Sequence, residues 1–435
     1  MAVAAAISAG AGATSLSDAV TKAVTTNPRV ARADAETRAA ERDVRQAWGG
    51  YLPSVDLNTL VGPEDSNIKQ LNAAGLDPGT LTRREVGVTV RQLVYDGFGT
   101  QAEVERRRAL LESAEHGLTD TRESIAFQAV QAYLDVLLSQ ELVVLARDNV
   151  DAHRRTLDHV RVKTQGGVGK GADVRQAEGR LALAQSTLTA REGQLRTAVT
   201  RYQRVVGEPP ADLRKPESGD AASGAGPAVD EVAVQQAIDA AVQEALNTHP
   251  ALMQARSQVN ASEANVRVAK SAYWPRVDLE GNLARNDNLS GVEGVRNSNS
   301  LMVVGRWNVF RGGSDRAQEQ ASVERRIAAE DAMADTRRAV EENVAVAVKA
   351  RATSQARIAY LEEHVEASTQ ALAAYKAQFD IGMRTLLDML NAENELFSAR
   401  SNLASGLYDD LQNRYFIEAA KGNLTRSLGI STGQP

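Results

Sequence analysis

Cysteine is absent from the 435 residues. Its absence excludes thiol nucleophiles, Cys-ligated zinc and iron–sulfur clusters, and also a lipoprotein anchor, which needs a Cys to carry the lipid. Aromatic residues are scarce at 4%, whereas an ordinary compact core draws heavily on large rings. Neither sign of charge dominates: the net value is −6, so no basic surface for a nucleic acid or another polyanion is indicated. Long hydrophobic runs are missing as well. No stretch approaches 18 apolar residues and the mean hydropathy is −0.33, which excludes a transmembrane helix but leaves open a membrane β-barrel, whose strands are short and alternate.

Chemistry-bearing motifs are equally sparse. The five histidines (His116, His153, His159, His249, His364) show no metal-ligand spacing; His153 and His159 are six apart and off a common helical face. The segment Gly166-Gly167-Val168-Gly169-Lys170-Gly171-Ala172 superficially resembles a phosphate loop, yet it lacks the Ser or Thr after Lys and the preceding strand. It reads as a flexible turn. Arg106-Arg107-Arg108 and Arg325-Arg326 sit beside Glu within helical stretches and read as solvated faces. No triad, carboxylate pair or cofactor loop stands out, so the chain reads as a non-enzyme without a cofactor or a metal.

What the sequence has instead is Ala, Val, Leu, Gln, Glu and Arg in helical patterns, with 24% charged residues. It also matches itself. Asn27-Pro28 recurs as His249-Pro250, and Tyr51-Leu52-Pro53-Ser54-Val55-Asp56-Leu57 as Tyr273-Trp274-Pro275-Arg276-Val277-Asp278-Leu279. Val94-Tyr95-Asp96-Gly97 then matches Val309-Phe310-Arg311-Gly312, and Gly167, Asp173 and Ala177-Glu178 match Gly382, Asp388 and Ala392-Glu393. Common order and near-constant spacing indicate a tandem duplication. The domains follow: 1–13 a signal-peptide remnant ending in an A-x-A site or, alternatively, an Ala/Gly leader; 14–208 the first repeat; 209–230 a Pro/Gly/Ser-rich linker; 231–428 the second repeat; 429–435 a tail.

Each repeat reads as helix, two strands, very long helix, turn, helix. The first helix is expected over 16–48 and its copy over 232–272, each stopped by Tyr-x-Pro. Strand hairpins are expected within 51–96 and 273–311. Val55, Leu57, Thr59 and Val61 alternate with polar residues, as do Val86, Val88 and Val90, Val277 and Leu279, and Val303, Trp307 and Val309. The long helices, about 99–164 and 314–380, contain no proline, and ~66 residues at ~1.5 Å each span on the order of 100 Å. Leu134, Leu138, Leu142 and Leu145, with Leu396, Leu403, Leu407 and Leu411, recur at coiled-coil spacing. Two hairpins cannot close a barrel alone, so the strands are expected to complete a sheet with other copies. Three chains would give twelve strands.

The order N-P, Y-L-P-x-V-D-L, V-Y-D-G and G-x5-D-x3-A-E, twice over and spanning about 15–428, resembles the TolC family of trimeric outer-membrane channels. Thr82-Arg83-Arg84-Glu85, Leu93 to Phe98 and Asn308 to Asp315 are most similar to its type I secretion branch, within that to exporters of large adhesins of the LapE or AggA kind. The resemblance implies a mainly α homotrimer with a twelve-stranded barrel in the Gram-negative outer membrane, four strands per protomer, continued by an α-helical tunnel across the periplasm. It implies outer-membrane lipid around the barrel. The implied partners are a periplasmic adaptor, an inner-membrane ABC transporter and an exported protein. A multidrug efflux channel would look the same; a periplasmic adaptor would embed its helical hairpin between halves of a lipoyl-like β domain, which this sequence does not show, and a cytoplasmic coiled-coil scaffold has no reason for two alternating hairpins at matched positions.

By the same resemblance, the helix-pair turns form the periplasmic entrance. Gly167 and Asp173 mark the first tip; Gly382, Arg384 and Asp388 mark the second. Three copies of Asp388 would form an acidic ring that favours cations, with Arg384 paired to Asp173 or to a neighbour. Asn391 stands where the family pattern has a second acid, and Phe379 where it has a Tyr, implying a weaker ring and one missing hydrogen bond in the closed state. An alternative role for Asp173 and Asp388 is to N-cap the helices after each turn.

Overall fold

The computed structural model describes residues 14–65, 80–167, 169–216 and 230–430. The expected leader 1–13, most of the linker and all but the first two residues of the tail lie outside them. Helices α1 (Leu16–Thr26) and α2 (Pro28–Trp48) lead to strands β1 (Ser54–Asp65) and β2 (Thr80–Tyr95), then α3 (Gly99–Gln165) and α4 (Gly171–Val206). The order repeats with α5 (Glu231–Thr248), α6 (Pro250–Ser271), β3 (Arg276–Asp287), β4 (Val295–Arg306), α7 (Ser314–Asp380) and α8 (Leu386–Ala420), closed by the short α9 (Leu424–Ser427).

The single helices expected over 16–48 and 232–272 are each two. Asn27 and His249 are extended (φ −69°, ψ 129° and φ −64°, ψ 122°), because the following proline disfavours the helical region at the residue before it. Each residue then starts the next helix: Asn27 Oδ1 accepts from Arg29 N at 3.0 Å and His249 Nδ1 from Ala251 N at 3.2 Å. Asn27 Nδ2 also donates to Val205 O on α4 at 3.1 Å.

The chain divides into two compact units. One comprises the described residues of 14–34, 117–252 and 336–430, helical but for its connections and a parallel bridge between Thr14 and Leu213, and its core is assembled from far-apart segments: Val20 of α1, Ile125, Val130 and Tyr133 of α3, Tyr202 of α4 and Leu424 of α9. One window of α3 is long and apolar enough to cross a membrane, but 56% of it is buried within the fold, so this stretch, not flagged in the sequence, is a core segment. The Tyr133 hydroxyl hydrogen is shared between Arg214 O at 2.5 Å and Thr14 O at 2.9 Å, tying the segment before α1 and the one after α4 to the core.

The other unit comprises 35–116 and 253–335 and holds the sheet. The order is β1-β2-β3-β4, all antiparallel, with an irregularity at Leu93–Tyr95. Register aligns the alternation. Val55 faces Val90 and Val90 faces Gly281, which faces Leu301; one row on, Leu57, Val88 and Leu283 are opposed. One face is therefore apolar and exposed in the protomer (Val55 67%, Leu57 68%, Leu301 73%). The opposite face carries an ion-pair ladder in which Arg91 meets Glu280 at 2.9 Å, Arg306 meets Glu280 at 2.7 Å, and Asp278, fully buried, meets Arg276 at 3.0 Å. β4 ends at Arg306, short of the expected Trp307 and Val309; there Trp307 turns to donate Nε1 to Tyr273 O at 3.1 Å.

The V-Y-D-G segment is a strand-to-helix joint. Asp96 Oδ2 accepts from Thr100 N at 2.8 Å and Thr100 Oγ1 at 2.6 Å, capping α3. Gly97 has φ +67°, and a Cβ there would lie 2.5 Å from Trp274 Cβ, so only glycine fits.

Candidate entrance at the helix-pair turns

Both turns lie in the helical unit and use the same device. Gly167 (φ +80°) and Gly382 (φ +79°) adopt the left-handed conformation that ends a helix at no steric cost for glycine. At the second turn Met383 N donates to Gln378 O at 2.9 Å and Gly382 N to Phe379 O at 3.1 Å, the paired bonds of a Schellman motif. At the first, Gly167 N donates to Thr164 O at 3.1 Å and Gly169 N to Lys163 O at 3.2 Å.

Neither acid is an N-cap, contrary to the alternative drawn from the sequence. Lys170 and Thr385 occupy the cap positions, which leaves Asp173 and Asp388 in the first turn of their helices, where the helix dipole favours a carboxylate. Asp388 closes a capping box: its backbone N–H donates to Thr385 Oγ1 at 3.3 Å, and Thr385 Oγ1 and N donate back to Asp388 Oδ2 at 2.8 and 3.3 Å. These bonds, with the Arg384 guanidinium beyond them, hold the Asp388 carboxyl below the usual carboxylate range. It is half-exposed and ionised. Among the described residues Asp173 makes no such side-chain bond.

Arg384 pairs with its neighbour and not with Asp173. Its Nε donates to Gln378 Oε1 at 2.9 Å, its guanidinium lies 4.4 Å over the Tyr375 ring, and Nη1 is 4.0 Å from Asp388 Oδ2. Asn391 accepts through Oδ1 from Arg180 Nη2 at 2.9 Å, joining α8 to α4. Tyr375, Asp388, Asn391 and Glu395 line one groove of about 430 Å³ between α7 and α8. Phe379 has its own attachment. Lys163 Nζ stands 4.4 Å over its ring and donates to the carbonyls of Phe379 at 3.2 Å and Asp380 at 3.4 Å; a cation at a helix C-terminus is favoured. His159 Nε2 lies 3.4 Å from Asp380 Oδ1.

Beneath the turns an apolar cluster of Leu157, Val160, Ala177, Leu386, Met389 and Leu390 joins α3, α4 and α8. Further along, three polar side chains are buried together: Thr156 Oγ1 donates to Glu393 Oε1 at 2.8 Å, and His153 Nδ1 lies 3.1 Å from Glu393 Oε2 without hydrogen-bond geometry. Sequence reasoning missed Lys163, Tyr375, Arg180 and this cluster. It missed Thr385 too, although Thr-x-x-Asp before an apolar run is a capping-box signal.

A family model described as outer membrane efflux protein matches residues 19–208 and 241–423. The outer membrane efflux protein BepC of Brucella suis biovar 1 (strain 1330) is 26% identical over 423 residues, spanning 96% of this chain and 88% of that one. The outer membrane protein TolC of Vibrio cholerae is 22% identical over 427 residues, spanning 96% and 93%. Among solved structures, the outer membrane protein VceC of Vibrio cholerae superposes with a TM-score of 0.79 at 17% identity, over 94% of this chain and 96% of that chain, and shows the same fold. In that fold three protomers give four strands each to one barrel continued by a helical tunnel. Channels of the family are homotrimeric conduits, not enzymes, and work with periplasmic adaptors and inner-membrane transporters. The chain belongs to the outer membrane efflux protein family and is a TolC-type channel of the Gram-negative outer membrane that extends into the periplasm.

Proposed function

We propose that this channel is the exit duct of a type I secretion system, passing a protein substrate of the large-adhesin class to the cell exterior. Its partners in this reading are an inner-membrane ABC transporter, a periplasmic adaptor and the exported protein. The observation that carries it is the similarity of Thr82–Glu85, Leu93–Phe98 and Asn308–Asp315 to the secretion branch. The two repeats, 14–208 and 231–428 about the linker 209–230, are read as copies of one helix–hairpin–helix ancestor, with 429–435 a tail.

In the same reading the turns at Gly167 and Gly382 are the periplasmic entrance. Asp388, half-exposed and ionised, supplies an acidic ring when three copies meet; Asp173 adds charge at the other turn. Asn391 contributes a hydrogen bond to Arg180 where a second acid would have contributed charge. Arg384 holds the α7–α8 turn closed on Tyr375, Gln378 and Asp388, and the Lys163 contacts to Phe379 stand in for the missing phenol bond.

A second reading, the outer-membrane component of a tripartite drug efflux pump, is favoured by the similarity to BepC, which is named an efflux protein. Deleting the gene separates the two. Secretion requires that a large protein vanish from the medium or cell surface while sensitivity to detergents and dyes stays unchanged; hypersensitivity with an intact secreted set favours efflux.

A further inference from the structure

The strands have two distinct ends. One end joins the helices at 48–54, 95–99, 271–276 and 306–314; the other carries the connections after Asp65 and Asp287. Since the helices extend into the periplasm, the second end faces the cell exterior. The apolar face of the sheet must face lipid. At its helix end all three tryptophans of the chain, Trp48, Trp274 and Trp307, are 48 to 62% exposed, the composition of a membrane interface. From Trp274 to Arg285 is 11 residues. At ~3.3 Å per residue and a tilt near ~40° they rise about 28 Å, close to the ~25 Å height of a barrel's apolar band.

At that upper limit the lipid face changes character. Arg84 of β2 and Arg285 of β3 are exposed and share the face of Val86 and Val88. Arg84 is opposite Asp287 and Val86 opposite Arg285, which makes the two arginines diagonal neighbours across one ladder, within ~7–8 Å. Arginines on the luminal face are treated differently: Arg83, Arg91, Arg276 and Arg306 each have a carboxylate within 2.6 to 3.0 Å. Among the described residues neither Arg84 nor Arg285 makes an ion pair, although Asp287 is directly across the ladder from Arg84. Both arginines are on the two central strands of the protomer, so closure of the barrel through β1 and β4 leaves them uncovered.

Two adjacent guanidiniums facing lipid at headgroup height need an anion, and their planar forks suit phosphate. We propose that Arg84 and Arg285 bind a phosphate of a phosphorylated glycolipid in the outer leaflet, fixing the height of the barrel in the membrane. The occupant is a glycolipid because the site faces the exterior leaflet, where phosphate is carried on acylated sugar.

Native mass spectrometry of the detergent-solubilised trimer tests this, with a bisphosphorylated acylated glucosamine disaccharide as probe. The same lipid without phosphate, phosphatidylglycerol and inorganic phosphate serve as comparisons. The trimer is expected to retain the phosphorylated glycolipid at least about tenfold more strongly than its dephosphorylated form, a difference of about 1.4 kcal/mol. Arg84→Gln with Arg285→Gln is expected to abolish that preference at unchanged trimer mass, and Arg84→Lys with Arg285→Lys to restore it in part. Equal retention with and without phosphate overturns the proposal, and needs no variant to assemble. So does equal retention of phosphatidylglycerol, which would mean a general attraction to anionic lipid. Displacement of the glycolipid by millimolar inorganic phosphate would assign the site to the free ion and also overturn it.

Discussion

Asp388 and Arg384 are four residues apart on one turn, yet the structure gives them different work. The carboxylate is held by Thr385 and lines the groove between α7 and α8; the guanidinium is spent on Gln378 and the Tyr375 face. Asp388→Ala is therefore expected to reduce cation preference in planar-bilayer conductance, and unchanged selectivity would remove the acidic ring from the mechanism. The pH dependence has a definite sign. The folded-state value lies below the ordinary one, so the charge and the cap are intact above the unfolded value of ~3.9 and are lost as pH falls through the lower folded value. Selectivity should stay flat from pH 8 to about 5 and fail only below about 4. Arg384→Ala leaves the ring but frees the turn, so its expected signature is larger conductance with selectivity kept.

At the scale of elements, the joints are built from interactions between residues distant in the chain. Glu123 on α3 is buried and accepts from Leu424 N at 2.8 Å, Thr425 N at 3.2 Å and the Thr425 hydroxyl, capping α9 from 301 residues away. Glu123→Ala strands those donors, and a loss of about 2 kcal/mol is expected, read as faster proteolysis after residue 420. Glu393→Ala leaves Thr156 and His153 without their buried partner; loosening of α3 against α8 should appear as faster hydrogen exchange in both helices around 153–160 and 390–396. Gly97→Ala must both adopt φ +67° and displace Trp274, a strain of about 1–3 kcal/mol. Less protein in the outer membrane is the expected readout, with the Gly49→Ala variant, whose Cβ meets nothing within 4 Å, as the tolerant control.

For the whole molecule, the sheet has an open edge at β1 and another at β4, and an apolar face that stands exposed in the protomer at Val55, Leu57, Leu301 and Val303. An edge and a face of that kind demand partners and lipid. Detergent-solubilised outer membranes should yield a particle of three times 46.6 kDa after the detergent is subtracted. A water-soluble monomer would show that the apolar face is not a lipid face, and would take the lipid site with it.

Periodicity made the strands and long helices readable, because side-chain alternation and the 3.6-residue stripe are local properties. The turns at Gly167 and Gly382 were legible for a related reason: a glycine turn between helices is local, and its recurrence in the second repeat marked it twice; the cap positions were not, since Lys170 and Thr385 take the place offered to Asp173 and Asp388. The breaks at Asn27 and His249 were equally local, since each precedes proline, but a helix on both sides concealed them. Sequence alone could not decide what Arg384, Lys163 or Glu123 contacts. Their partners are Tyr375, Phe379 and Thr425, and nothing in spacing distinguishes those from other exposed or apolar positions. The same limit applied to Arg84 and Arg285: alternation assigns each to the face of Val86 or of Leu279 by parity, but only the β2–β3 register brought the two together. Local order follows from the covalent spacing of side chains. Which charge meets which partner depends on chain segments folded together across up to 300 residues, and that is decided by packing alone.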